Sequence, residues 1–367
     1  MRIDQCVPVL LLHDAIGNHA REIQRALRRA GIASDLYVEI LGTGLEGAAI
    51  PFDAEMSLLP GQAVIYHAST DSAMAPWLIG QAGKGVRVWS YYHNITPPQY
   101  FTKWLPEAME GMLSAREQLQ DLAAVTELAV APSRFNEAEL IALGYPRTAV
   151  VPLLVDLAAF TGGVASTRNS AVARESAPLS ESAHGSGVRW LFVGRFAPNK
   201  CQHDVLAAFA VFRRLYEPGA TLTLIGGQTA PSYALAVREM ATDLGLSGAV
   251  EFRSGLDQEE LIEEFSTADV FVCLSEHEGY CVPLLEAMGA GVPIVALAAG
   301  AVAETVGHAG VLLRTNDPVE VAWTVADVLR RDGRRAQLVA DGAQRAAELS
   351  LERTSQQMVQ LLTSSLR

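Results

Sequence analysis

The stretch ADVFVCLSEHEGYCVPLLEAMGAGVPIVAL, residues 268–297, reads as strand, turn, helix, turn, strand. The apolar run 268–274 has the length of a fully buried strand. Gly279 marks a turn, Pro283 suits the first position of a helix, and Gly289, Gly291 and Pro293 end that helix before the apolar run 292–297. Two buried strands joined by a helix form the repeating unit of a parallel sheet. The uncharged stretch from Ala287 to Ala303 approaches the length of a membrane span, but Gly289, Gly291, Pro293 and Gly300 divide it into helix end, turn, strand and loop.

The same rhythm extends in both directions. Further strands are expected at 190–194, 222–227, 249–253 and 310–313, each followed by a helical segment. In the first half, strands are expected near 7–12, 35–41, 63–67, 86–91, 127–131 and 149–153, with helices near 18–30, 105–123 and 134–143. Residues 161–187 interrupt the pattern with Gly, Ser and Ala and no hydrophobic period, the composition of a linker. The expected organisation is a Rossmann-like domain over 1–160, a flexible linker over 161–187 and a second Rossmann-like domain over 188–349, with the final helix near 350–367 crossing back onto the first. In this α/β architecture the two parallel-sheet halves are expected to face each other across a cleft, with ligands beyond the carboxyl ends of the strands.

A chain of 367 residues is long enough for about two domains. Half of it is hydrophobic and 19% is charged, which excludes disorder for the bulk. The 28 basic against 41 acidic residues disfavour nucleic acid as a partner. Cys6, Cys201, Cys273 and Cys281 are scattered without a C-x-x-C pair, so a reducing, cytoplasmic setting is expected. The N-terminal run has no cleavage site of the kind that ends a signal peptide.

The candidate chemistry clusters in the second half. Glu278 and Glu286 bracket a turn whose backbone N–H groups at Tyr280, Cys281 and Val282 stand at a helix start, a ready site for a diphosphate. Glu278 is placed to accept from sugar hydroxyls and Glu286, about one turn in, from a ribose diol. In WLFVGRFAPNK, residues 190–200, Arg195 follows a strand and Lys200 comes five residues later, two cations suited to a leaving diphosphate. Taken singly, each of these charged groups is also what an ordinary solvated surface carries.

These residues resemble the retaining GT-B glycosyltransferases of family 4. The likeness runs through VGRFAPNK, LTLIGG, SEHEGYCVPLLEAMGAGVPIVA and the G-x-x-x-E from Gly300 to Glu304. In the first half it runs through Ile16-Gly17-Asn18, Tyr92-His93-Asn94, APSRFN at 131–136 and VVPLLVD at 150–156. The resemblance implies that Arg195 and Lys200 hold the donor diphosphate beside Gly194, that Glu278 touches the donor sugar and that Glu286 binds the nucleotide ribose. It further implies phosphate or sugar contacts from Tyr280, Cys281 and Val282, a close backbone approach at Gly17, and His93 beside the sugar and the acceptor hydroxyl. Leu256 is a weaker candidate for the nucleotide base. The sequence departs from the family at Cys201, where many members have Gly, and at Tyr280-Cys281 in place of Phe-Gly.

By residue type alone His93 is no stronger than His13, His67, His203, His277 or His308, and a strand-end histidine is often structural; the resemblance singles it out. His13 and Asp14 follow the first strand and are expected to line the cleft. Gly42-Thr-Gly44-Leu-Glu-Gly47 spells a dinucleotide fingerprint, but Pro51 prevents the helix that a pyrophosphate needs. The absence of D-x-D, H-E-x-x-H, G-x-S-x-G and Walker motifs leads to the expectation of no tightly bound metal. Arg21, Arg25, Arg28 and Arg29 share much of one helix face, a candidate for peripheral contact with anionic lipid.

The resulting expectation is a metal-independent, retaining hexosyltransferase. It takes a nucleotide-diphosphate sugar (UDP, GDP or other), has no tightly bound cofactor, and acts on a glycan, glycolipid or small-molecule hydroxyl in cell-surface polysaccharide or glycoconjugate synthesis. The rivals are a GT-B sugar-nucleotide epimerase or hydrolase and a non-catalytic nucleotide-sugar-binding protein, with an NAD oxidoreductase more distant.

Overall fold

Each of the twelve apolar runs expected to be strands is a strand in the computed structural model, which describes residues 1–12, 14–161 and 187–366, and all the ladders between strands are parallel. The chain forms two compact units. The first comprises Met1–Gln99, Pro106–Val155 and Leu349–Arg367; the second comprises Tyr100–Leu105 and Asp156–Glu348. Residues 162–186, most of the expected linker, lie outside the described residues, as does His13.

The first unit contains β1 (Ile3–Leu10), α1 (Ala15–Arg29), β2 (Leu36–Leu41), β3 (Ile50–Pro51), β4 (Ala63–Ala68), α2 (Met74–Ala82), β5 (Arg87–Tyr92), α3 (Met109–Leu122), β6 (Thr126–Ala131), α4 (Arg134–Ala142) and β7 (Thr148–Val150). Its sheet runs β3-β2-β1-β4-β5-β6-β7. Chain order therefore reverses between β1 and β4, and the loops beyond their carboxyl ends diverge there to leave a crevice.

The second unit contains β8 (Arg189–Val193), α5 (Gln202–Leu215), β9 (Thr221–Ile225), α6 (Pro231–Asp243), β10 (Val250–Arg253), α7 (Gln258–Thr267), β11 (Val270–Cys273), α8 (Val282–Gly289), β12 (Ile294–Leu297), α9 (Val302–Val306), β13 (Gly310–Leu313), α10 (Pro318–Arg330) and α11 (Arg334–Glu348). Its sheet runs β10-β9-β8-β11-β12-β13, with the reversal between β8 and β11. Trp190 meets Phe209 edge-on and Phe212 at a tilt, with ring centroids 5.5 and 5.1 Å apart, and these fully buried rings lock β8 against α5. The last helix, α12 (Leu351–Ser365), packs on α1 within the first unit, and Arg87 donates to the Ser365 carbonyl at 2.7 Å.

Several elements differ from expectation for identifiable reasons. β1 begins at Ile3 rather than near residue 7 because its polar residues are satisfied inside the fold: Asp4 is fully buried, paired with Arg2 at 2.7 Å and accepting the Asp35 amide at 2.8 Å. α1 begins at Ala15, not near 18, because Asp14 caps it through the Gly17 amide at 2.9 Å. α2 is an additional helix without a periodic signal; its sequence MAPWLIGQA is apolar throughout and carries a proline in its first turn, where proline is tolerated. The fingerprint-like glycines 42–47 form a turn, and Pro51 lies on β3, an edge strand that asks no amide of it.

Cys201 and Cys281 both occupy the left-handed region, with φ of 52° and 68°. These are the two positions where the resemblance read from the sequence implies glycine. A side chain costs roughly 1–2 kcal/mol in that conformation, and each thiol recovers part of the cost through burial. Replacing Cys201 with Gly is therefore expected to leave stability within about 1 kcal/mol of the parent, whereas Cys201→Val, branched at Cβ, should lose about 2 kcal/mol or more in urea unfolding.

Candidate functional site

In the second unit the loops after β8 and β11, which flank the reversal in strand order, carry most of the expected residues. Gly194 continues β8, its amide donating to the Ile225 carbonyl at 2.8 Å. The next motif packs directly on it: a Cβ at Gly226 would lie 2.0 Å from the Gly194 oxygen, so only glycine fits. A short 3-10 turn, Pro198–Lys200, then leads through left-handed Cys201 into α5. Asn199 stitches this turn to the other loop, donating to the His277 carbonyl at 3.1 Å while its own carbonyl accepts the Glu276 amide at 2.9 Å.

That stitching brings Lys200 Nζ to 2.6 Å from Glu278 Oε1, with side chains only 16% and 7% exposed. Burial alone draws the Lys200 pKa down, but the charge and hydrogen bond of Glu278 outweigh it and leave the pKa raised, so the ammonium stays charged. Glu278 is fixed from behind by the Gly300 turn. The Ala301 amide donates to the Glu278 carbonyl at 2.9 Å, and Gly300, at φ 55°, lies so close that a Cβ there would come within 2.5 Å of the same oxygen. Arg195 is exposed and, among the described residues, makes no ion pair; its charge acts on Lys200, opposing the protonated form.

α8 starts at Val282, with Pro283 second rather than first. No side chain caps this helix, and among the described residues the Tyr280, Cys281 and Val282 amides meet no acceptor. Thr305 takes up the Tyr280 carbonyl at 2.7 Å and so holds the turn in place. One turn in, Glu286 is half-buried without a hydrogen-bond partner for its carboxylate among the described residues, and burial pushes its pKa up to about 7. The arrangement is a concentrated anion-binding corner, with two cations and a bare helix start, next to a carboxylate that lacks donors.

Cys273, Glu278 and Cys281 could present three metal-ligating atoms within 4.8 Å of one another. The scattered cysteines of the sequence are thus partly gathered by the fold, with the two sulfurs 3.9 Å apart. Glu278 is already engaged by Lys200, and the hydrogen bond between the two sulfurs lowers the Cys273 pKa while it and burial raise that of Cys281. Leu256 lies apart, half-buried in the turn between β10 and α7, two strands away from β8.

In the first unit, His93 follows β5, partly buried, with its amide bonded to the Ala68 carbonyl at 2.9 Å. Its neighbour Asn94 is left-handed at φ 78° and is bound through Nδ2 to Asn136 at 2.9 Å, so the YYHN and SRFN motifs support each other. VVPLLVD does likewise: Val151 accepts from Tyr91 Oη at 2.7 Å, and the Leu154 amide donates to His19 Nδ1 at 2.9 Å. Gly17 is buried inside the first turn of α1, where the Asp14 carboxylate accepts its amide at 2.9 Å. Sequence reasoning left Gln5, His19, His67 and Asn199 without roles; they lie on separate elements, and no local spacing announces that they meet.

Residues 183–345 match the family model described as glycosyl transferases group 1. The fold is that of GT-B proteins: the chain superposes on Anabaena HepE in complex with UDP-glucose with a TM-score of 0.74 at 18% identity, covering 99% of this chain and 100% of that one. Sucrose-phosphate synthase from Thermosynechococcus elongatus gives a TM-score of 0.74 at 20% identity over 99% of both chains. Among curated relatives, the D-inositol 3-phosphate glycosyltransferase of Corynebacterium urealyticum is 33% identical over 225 residues, 59% of this chain and 51% of the relative. The corresponding protein of Geodermatophilus obscurus is 33% identical over 232 residues, 60% and 48% of the two chains. The chain thus spans about half the length of the curated relatives it matches.

The raised Glu286 pKa has a defined thermodynamic sign. Between the ordinary value of 4.5 and about 7 the native state holds a proton that the unfolded chain has released, so stability falls as pH rises through that window. Glu286→Gln removes this dependence. Relative to the parent, the variant should gain up to about 3 kcal/mol between acidic and mildly alkaline pH, measured by urea unfolding across the window.

Proposed function

We propose that the chain is a retaining, metal-independent glycosyltransferase that moves a hexose-type sugar from a nucleoside diphosphate donor to an acceptor hydroxyl. The observation that carries this reading is the convergence at the β8/β11 reversal of Lys200, the uncapped start of α8 and Glu278, with Arg195 on the same loop. Arg195, Lys200 and the Tyr280–Val282 amides receive the diphosphate and stabilise the charge that grows as the bond from the anomeric carbon to phosphate oxygen breaks. Glu278 accepts from the sugar hydroxyls, and Glu286, lacking a protein donor, accepts from the ribose diol. The acceptor oxygen bonds to the anomeric carbon on the face being vacated, while the leaving phosphate oxygen takes its proton. Before that transfer His93, kept neutral mainly by burial, receives the hydroxyl hydrogen bond that orients the nucleophile, and the same hydrogen then passes to the phosphate oxygen.

The family match and the UDP-glucose complex of HepE favour a nucleotide-sugar donor. The names of the curated relatives support a phosphorylated polyol as an acceptor beside glycans and glycolipids. A cytoplasmic setting with peripheral lipid contact through α1 belongs to the same proposal. Arg25, Arg28 and Arg29 are exposed there, although Arg25 and Arg28 are partly spent on Glu22 and Asp35.

A thermal-shift panel of UDP- and GDP-sugars, followed by product analysis, tests the reading. A stabilising donor should be found, Glu286→Ala should abolish its shift, and Lys200→Ala should lower turnover at least about 100-fold while the chain remains folded. His93→Ala should keep the donor shift and lose turnover. Full turnover in Lys200→Ala would overturn the assignment, and release of free sugar or an isomer without acceptor would point to a hydrolase or epimerase. Donor affinity should also rise with pH up to about 7, because only the ionised Glu286 accepts from both ribose hydroxyls.

A further inference from the structure

Strands β1 and β4 of the first unit and the residue that follows the neighbouring β5 carry a continuous hydrogen-bonded line of side chains. Gln5 on β1 and His67 on β4 are fully buried. Gln5 Nε2 is 3.4 Å from Ser34 Oγ, and its Oε1 is 2.9 Å from His67 Nε2. On its other side, His67 Nδ1 is 2.9 Å from His93 Nε2. Each link restricts the next. An amide oxygen only accepts, so His67 carries its hydrogen on Nε2. Burial holds the His67 pKa down at about 3, leaving a lone pair on Nδ1. That lone pair needs a donor, which places the hydrogen of His93 on Nε2. Burial and the neighbouring His67 and His19 keep His93 neutral in turn, so its Nδ1, without a partner among the described residues, is an acceptor.

We infer that Gln5 and His67 are positioning residues that fix the His93 tautomer, so that His93 always presents an unprotonated Nδ1 to a hydroxyl of the substrate. This rests on the proposed role of His93 in sugar transfer. Its reason is chemical: a bare Nδ1 accepts the hydroxyl hydrogen bond and leaves the oxygen lone pairs free to attack, whereas an N–H there would donate to one of those lone pairs and weaken the nucleophile. His19 supports the same frame without joining the line. Its Nδ1 accepts from the Leu154 amide, and its ring lies 5.4 Å from that of His93 and 6.0 Å from that of His67.

The test uses the full chain labelled with 15N at histidine. Long-range proton–nitrogen correlation spectra of the parent should show His93, assigned by its loss in His93→Ala, protonated at Nε2 and bare at Nδ1. The Nδ1–H form in the parent would overturn the inference outright, whether or not any variant folds. In Gln5→Met, which removes the accepting oxygen, the opposite His93 tautomer should appear, and kcat should fall about 10-fold with donor KM within about twofold. Gln5→Glu keeps an accepting oxygen and should restore the parent tautomer and most of kcat. Unchanged kcat and tautomer in a folded Gln5→Met would sink the proposal. Full turnover in His93→Ala would instead sink the catalytic role of His93 and leave the tautomer assignment to stand on the spectra alone.

Discussion

The ion pair between Lys200 and Glu278 is the contact around which the second unit organises its chemistry. Two charges removed from water are costly unless each is well matched, and here the match depends on loops from two neighbouring strands arriving at one point. Asn199 joins those loops through backbone groups, and Gly300 permits the chain behind Glu278 to approach within a distance that no other residue allows. The pair keeps the lysine charged while holding the carboxylate in place. It also explains why residues 78 apart in sequence act as a unit.

The first unit reaches its polar interior by a different route. Its buried line of Gln5, His67 and His93 carries no net charge, because burial makes the imidazolium form of each histidine unfavourable. Such a line fixes hydrogen positions rather than charge. The surrounding motifs serve it mechanically: Asn136 binds Asn94 beside His93, Val151 accepts from Tyr91, and the Leu154 amide orients His19. Segments that looked independent along the chain are one scaffold.

The departures at Cys201 and Cys281 fit the same frame. Both residues are left-handed, so the backbone keeps a shape for which glycine is the unstrained choice. Cys281 gains a sulfur contact with Cys273 in exchange, within the wall of the anion-binding corner.

Much of this was legible in the residues. Twelve strands followed from apolar runs, since a strand buried on both faces has little choice but to be continuously hydrophobic. Arg195, Lys200, Glu278 and Glu286 were recognisable because they sit at strand ends and a helix start, where local pattern and chemistry coincide. α2 was hidden by an apolar segment without period, and the early start of β1 by Asp4 and Gln5, polar residues whose partners are distant in sequence. Only the tertiary structure decided that Lys200 pairs with Glu278 and that Gln5, His67 and His93 form a line. The physical reason is common to both. Periodicity and local spacing report which way a residue faces along its own strand or helix, whereas a hydrogen bond between elements depends on strand order, and that is settled only when the sheet assembles.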